Sequence, residues 1–321
     1  MIAALDLGLI YGLMALGVYL TFRVLDFPDL TVDGSFTSGA AVASVMILNG
    51  QSPLLATVCG GVAGLVAGAL TGVLHAKGKI NPLLAGILTQ IALYSINLRI
   101  MGKANLSMLR TDTLVSPLKD AGLLGSWASV GAFAVVAVVA IVALSWFLKT
   151  DLGLALQATG DNEQMIRSQG VSTDSMKILG LALSNGLVGV SGAVLAQYQG
   201  YADIGMGIGL IVAGLASVII GQALFNSHLI WVNTIAVVVG SIVYRLVIQL
   251  ALGVGLNPND MKLISALLVI AALLLPRLAV VRRWRAGLVS KEIEETVVAG
   301  DRDQPDADGG ERADRSEGAG V

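Results

Sequence analysis

The sequence predicts an all-α integral membrane protein with eight or nine transmembrane helices, a short cytoplasmic helix between two of them, and a disordered C-terminal tail. Three observations predict it. Apolar residues make up 55% of the chain and charged residues 13%, with mean hydropathy +0.80; soluble domains carry about 25% charge. The apolar residues fall in runs of about 20, the length that crosses a bilayer as a helix. The polar residues gather in an internal island from Lys149 to Lys177 and beyond residue 285.

The expected spans are 2–22, 36–50, 53–74, 81–101, 127–148, 177–199, 206–224, 228–250 and 261–281. The second is short for a crossing, so it reads as tilted, broken or re-entrant. Before it lies a cluster of carboxylates, Asp26, Asp29 and Asp33, with Pro28 and Gly34 expected to interrupt regular helix. Such a segment reads either as a turn with capping carboxylates or as a substrate contact. In the third span Gly60, Gly64, Gly68 and Gly72 recur every four residues and share one helix face. Small residues let a neighbouring backbone approach, within this chain or in a second copy. The ninth span has no glycine and many leucines, which suits a peripheral position.

Charge sets the orientation, because Lys and Arg are retained on the cytoplasmic side. With the Lys149–Lys177 island inside, nine spans put the N-terminus outside and the C-terminus inside. Arg23, Lys77, Lys79, Lys149, Arg167, Lys177, Arg277, Arg282, Arg283, Arg285 and Lys291 then face the cytoplasm. Arg99, Lys103, Arg110, Lys119, Arg245 and Lys262 are on the outer side. No basic n-region precedes the first span, so no cleavable signal peptide is expected. The expected domains are a transmembrane unit over 1–285 and a tail over 286–321, rich in Asp, Glu, Arg and Gly.

The island carries helix signals. Asp161 reads as an N-cap with Gln164 three residues on, Glu163 lies in the first turn, and Gly170 stands as the C′ residue with Val171 reaching back to Ile166. A helix of about eight residues, roughly 12 Å long, is unstable alone in water. It needs a surface, either of its own chain or of a separate subunit, with Met165 and Ile166 as contact residues.

Several chemistries are excluded. No Gly-x-x-x-x-Gly-Lys-Ser/Thr loop occurs, so ATP would have to be bound by another chain. No catalytic constellation or metal cluster stands out: Cys59 is alone, and His75 and His228 are far apart. The net charge of −2 implies no nucleic-acid partner. Polar residues expected at membrane depth or at helix ends are Asp33, Ser35, Asn97, Arg99, Gln197, Gln199, Asp203 and Arg245. Ionisable groups there are functional candidates, although charges at a helix end can also snorkel to the interface.

Three stretches carry a family resemblance: Tyr11–Gly17 leading into Phe27–Phe36, Gly86–Gly102, and Ala158–Asp203. Over roughly 1–285 the chain resembles permease subunits of bacterial ABC importers, in the branched-chain amino acid/ribose permease superfamily. Within it the chain looks most like permeases of tryptophan/tyrosine-type uptake systems. The resemblance implies a multi-pass protein of the bacterial plasma (inner) membrane that pairs with a second permease copy. It implies cytoplasmic ATPase subunits, which would carry the ATP and Mg, and an extracytoplasmic solute-binding protein. It maps the ATPase-coupling helix onto Asp161, Asn162, Glu163, Met165, Ile166, Arg167, Gly170 and Val171. Asp33, Ser35, Asn97, Arg99, Gln197, Gln199 and Asp203 remain the candidates for the pathway. The rival from the residues alone is a self-sufficient transporter driven by an ion gradient, with broken segments and intramembrane Asp residues as ion sites.

Overall fold

The computed structural model describes residues 1–225, 229–254 and 263–271. The first helix, α1 (Ile2–Tyr19), widens into a π-helical turn over Leu20–Val24. It is followed by α2 (Thr31–Leu48), α3 (Pro53–Ala76) and α4 (Pro82–Met101). A strand β1 (Asn105–Ser107) and a short α5 (Ser116–Asp120) precede α6 (Trp127–Leu148). The polar island holds α7 (Asp151–Asp161) and α8 (Glu163–Ser168). Then come α9 (Thr173–Gln199), β2 (Tyr201–Asp203), α10 (Leu210–Leu224) and α11 (Ile230–Gly253). Residues 263–271 are helical, so the ninth expected span is described only in part, and the expected tail lies outside the described residues.

Among the described residues seven helices are long and apolar enough to cross a membrane. Two expectations need correction. The second span does not begin at 36: α2 starts at Thr31, and Gly34 lies inside the helix rather than breaking it. Gly34 is there because α4 packs against it. A Cβ at this position would come within 2.8 Å of Leu93 Cδ1 and 3.3 Å of Gln90 Cα. The short membrane helix is instead α10, with 15 residues. It starts at Leu210, not 206, and the segment before it is not helical.

The core is made by helices in close contact. The Gly60–Gly72 face of α3 packs within this chain, along α9. A Cβ on Gly72 would lie 2.7 Å from Ile178 Cα, and Gly64 and Gly68 abut the carbonyls of Asn185 and Leu181. Gly39 on α2 meets Gly189, and Gly192 meets Phe36. With backbones this close, serine hydroxyls reach carbonyls across helices. Ser184 Oγ donates to Gly17 O at 2.7 Å, Ser191 Oγ to Ile10 O at 2.8 Å, and Ser241 Oγ to Gly8 O at 2.8 Å. Such contacts replace the hydrophobic drive that lipid cannot supply.

The helices run alternately, so two ends form. One end gathers the N-terminus, the residues between α4 and α6, and β2. There β1 pairs antiparallel with β2, and Met108 N–H donates to Gly200 O at 2.8 Å. The opposite end gathers residues 24–28, 77–81 and the α7–α8 island. Lys79 there lies 3.7 Å from Asp174, and Gly160 abuts Val24 and Leu25. Exposed Val135, Val138, Val139, Val142 and Trp146 on α6 form a face suited to lipid.

Candidate functional site

Two places carry the polar chemistry. The first lies at half depth, where α2 begins. Phe36 stacks on Tyr11 in the middle of α1, with ring centroids 5.9 Å apart. The first turns of α2 therefore sit near the centre of the bundle. The chain after β2 re-enters to this depth: Gly207 abuts the Asp33 carbonyl and Thr37. Non-helical backbone at such depth is tolerated only when buried in protein or lining a cavity, and here Asp33 satisfies its last N–H and one in the first turn of α10. Asp33 Oδ2 accepts from Gly209 N–H at 2.7 Å and Oδ1 from Ile211 N–H at 2.9 Å. A carboxylate from α2 thus caps the N-terminus of α10, where unpaired N–H groups and the helix dipole favour negative charge.

Beside this cap is a cavity of about 440 Å³ lined by Asp33, Thr37, Gln90, Tyr94, Asn97 and Ile208 among others. Asn97 is held in its wall: Ser38 Oγ lies 2.8 Å from Asn97 Oδ1, and Asn97 Nδ2 donates to Gly34 O at 3.4 Å. Of the expected pathway residues, Asp33 and Asn97 come together here and the others do not. Ser35 is fully buried, and its hydroxyl has no partner. Arg99 is exposed. Gln197 is a buried brace, accepting from Leu114 N–H at 3.0 Å and donating to Thr57 Oγ1 at 2.7 Å. Gln199 and Gln197 line a different cavity of about 450 Å³ beneath residues 108–124. Asp203 accepts from Gly205 N–H at 2.8 Å and from Asn105 Nδ2 at 3.4 Å.

The other two carboxylates of the cluster lie in the turn before α2. Asp29 is buried, accepting from Thr31 N–H at 2.9 Å and from Asn185 Nδ2 at 2.6 Å. Asp26 takes a positive φ of 51° in the turn. The cluster reads as a capped turn, and Asp33 also lines the cavity at Asn97.

The second place is the α7–α8 island. The expected N-cap Asp161 is instead the last residue of α7. Asn162 is the only residue between the two helices and serves both. Its N–H donates to Ala158 O at 3.0 Å, and its Oδ1 accepts from Met165 N–H at 3.0 Å. The capping box with Gln164 therefore does not form, because N3 is Met165. The C-terminal expectation matches the geometry. Gly170 has φ +87°, Gly170 N–H donates to Arg167 O at 3.1 Å, and Val171 N–H donates to Ile166 O at 3.4 Å, which is a Schellman pair.

An ion-pair network fastens α8 to α9. Glu163 accepts from Lys177 Nζ at 2.7 Å, Arg167 Nη2 at 2.9 Å and Thr173 Oγ1 at 3.1 Å. The Lys177 hydrogen bond, above all, holds the Glu163 carboxyl below its ordinary range. Ile166 is buried in this chain, whereas Met165 is exposed, as are Leu152 and Leu154 on α7. Sequence reasoning missed α7 and its apolar pair. The available signal was Thr150, whose Oγ1 accepts from Gly153 N–H at 3.3 Å as an N-cap.

Comparison with known proteins fits a transport permease. The family described as the branched-chain amino acid transport system/permease component matches residues 1–274. The chain belongs to that family and is an importer permease subunit of ABC type, a multi-pass membrane protein and not an enzyme. It is 44% identical over 295 residues to a tyrosine transport system permease protein of Clostridioides difficile, covering 90% of this chain and 96% of that one. It is 33% identical over 214 residues to the autoinducer 2 import system permease LsrC of Escherichia coli, covering 65% and 59%. A solved metal-chelate type ABC transporter in an inward-facing conformation is similar with TM-score 0.46 and 17% identity, covering 83% and 80% of the two chains. Membership of the family implies ATPase partners.

Proposed function

We propose that this chain is the translocation subunit of an ATP-driven importer for a small solute, an amino acid of the tyrosine type. The observation that carries the reading is the 44% identity to a tyrosine permease along nearly the full length of both chains. In this reading two copies pair in the bacterial plasma membrane, with the N-terminus outside and the C-terminus in the cytoplasm. An extracytoplasmic binding protein delivers solute, and separate ATPase subunits hold the ATP and Mg. The island, with α7 and α8, is the ATPase-docking element.

Local geometry supports that last assignment. Leu152, Leu154 and Met165 stay exposed at a polar end of the bundle, where water rather than lipid would otherwise meet them. The network around Glu163 would pass a push on α8 into α9. The cavity between Asp33 and Asn97 lies at half depth on the non-helical segment before α10, a suitable place for a solute to pause.

Reconstitution tests the function. Liposomes holding the permease, its ATPase and its binding protein should take up L-tyrosine only with ATP. Gradient-driven uptake by the permease alone would overturn the reading in favour of a secondary transporter. For docking, Met165→Asp should lower ATPase copurification at least tenfold while membrane insertion is kept. Equal copurification would place the docking surface elsewhere.

A further inference from the structure

Arg245 is the unexplained charge of the bundle. It sits on α11, eight residues before the C-terminal end of that helix, and so roughly 12 Å below it at 1.5 Å per residue. Its guanidinium lies over the Tyr11 ring, 3.6 Å from the centroid. Tyr11 in turn stacks on Phe36. No carboxylate among the described residues pairs with it, and its Nε is buried with no hydrogen-bond partner.

An aromatic face neutralises part of a cation's cost but accepts none of its in-plane N–H groups. The guanidinium fork is therefore left with donors to spare at membrane depth. Beside it opens a cavity of about 320 Å³, lined by Tyr11, Leu210, Val212, Tyr244, Arg245 and Ser265 among others. This cavity is distinct from the one at Asn97, and the two touch only through Ile208.

The geometry points to the Arg245 cavity as a binding site for an oxyanion, a carboxylate or a phosphate, held by the guanidinium fork over the Tyr11–Phe36 stack. Arginine suits this task because its planar fork matches both anions in a bidentate way, whereas lysine offers a point charge. Two sources could supply the oxyanion: the carboxylate of an amino-acid solute or the phosphate of an anionic lipid. Only the solute arm rests on the importer reading above.

Binding to the purified full-length permease in phosphatidylcholine nanodiscs tests the site. The probes are L-tyrosine, tyramine (the same molecule without the carboxylate) and phosphatidylglycerol. Wild type should bind L-tyrosine or phosphatidylglycerol, and Arg245→Gln should weaken that binding at least tenfold. Arg245→Lys should fall between the two. L-Tyrosine binding with none for tyramine assigns the solute source; phosphatidylglycerol binding alone assigns the lipid. Thermal unfolding of each variant, measured in the same discs, identifies any that fail to fold. In that event Tyr11→Leu, which removes the floor and leaves the charge, should weaken the same binding at least threefold. Failure of wild type to bind either anion, or equal binding by a folded Arg245→Gln, overturns the site. ATP-driven tyrosine uptake persisting alongside that failure would leave the importer function standing.

Discussion

Removing the Asp33 carboxylate should unfasten α10 from α2. Asp33→Ala deletes acceptors for two backbone N–H groups, those of Gly209 and Ile211, at 2.7 and 2.9 Å, in a residue only 7% exposed. Hydrogen bonds to a charged group contribute about 1.5–3 kcal/mol each, so the two together contribute about 3–6 kcal/mol. Water entering from the adjoining cavity brings the cost towards the lower figure. Against a typical stability of about 5–15 kcal/mol this is a large loss. Asp33→Asn keeps one carbonyl oxygen as acceptor and should lose about half as much. The assay is thermal unfolding of the purified permease in detergent, followed by tryptophan fluorescence. The expected order of stability is wild type, then Asp33→Asn, then Asp33→Ala. If Asp33→Ala unfolds at the wild-type temperature, the capping argument is wrong, and the carboxylate's place by the cavity would have to explain it instead.

Four further outcomes follow from packing, backbone and charge. Gly64→Val puts a branched side chain against the Asn185 carbonyl and should cost at least the 1–3 kcal/mol typical of overpacking, read as loss of folded protein from membranes. Gly131→Ala on α6 meets nothing within 4 Å and should raise the unfolding temperature slightly, by about 0.4–1 kcal/mol of stability. Gly170→Val forces a branched residue to φ +87°, costing at least about 1–2 kcal/mol locally, and should reduce ATPase copurification without preventing insertion. Glu163→Gln tests the island's electrostatics. Because the folded carboxyl lies below its ordinary value of 4.5, the stabilisation is full above that value and fades as pH falls through the lowered one. With Glu163 39% exposed, the effect is under about 1 kcal/mol. The difference in unfolding temperature between wild type and Glu163→Gln should be steady from pH 7 to 5 and shrink below 4.5; a difference that grows there would contradict the sign.

Much of the fold was legible because lipid enforces a simple pattern. The boundaries of α6 were read to the residue, and those of α3 and α4 to within two. Two of the misreadings share a cause: residues whose usual local meaning was overridden by a partner far away in sequence. Gly34 reads as a breaker, yet it is a contact for α4, which no local pattern reveals. Asp33 reads as a cap for its own segment, yet it caps α10, 176 and 178 residues onward. Residues 206–209 are apolar enough to extend a span, but their glycines take them out of the helix, Gly209 at φ +85°. In the island Asp161 and Asn162 are equally good N-caps by type, and only the hidden α7 decides between them. The Gly60–Gly72 face could be read as a face, but whether its partner was α9 or a second copy could not.

That face also determines how a force entering at α8 would travel. The Glu163–Lys177 bond joins α8 to the first turns of α9, and α9 is then joined to α3 through contacts at Gly64, Gly68 and Gly72. A seam in which glycines abut backbone carbonyls has little slack, because sliding it by even one residue would drive a Cβ into a carbonyl. α2 is fixed to the same seam at Gly39 and Phe36, and it carries the Asp33 carboxylate that holds the start of α10. In the importer reading, α8, α9, α3 and α2 would therefore move as a block. The softer element is the non-helical 204–209 segment, which borders both cavities through Ile208. A change in access would then be a change at that segment, where separate turn hydrogen bonds and the carboxylates of Asp203 and Asp33 replace the continuous ladder of a helix.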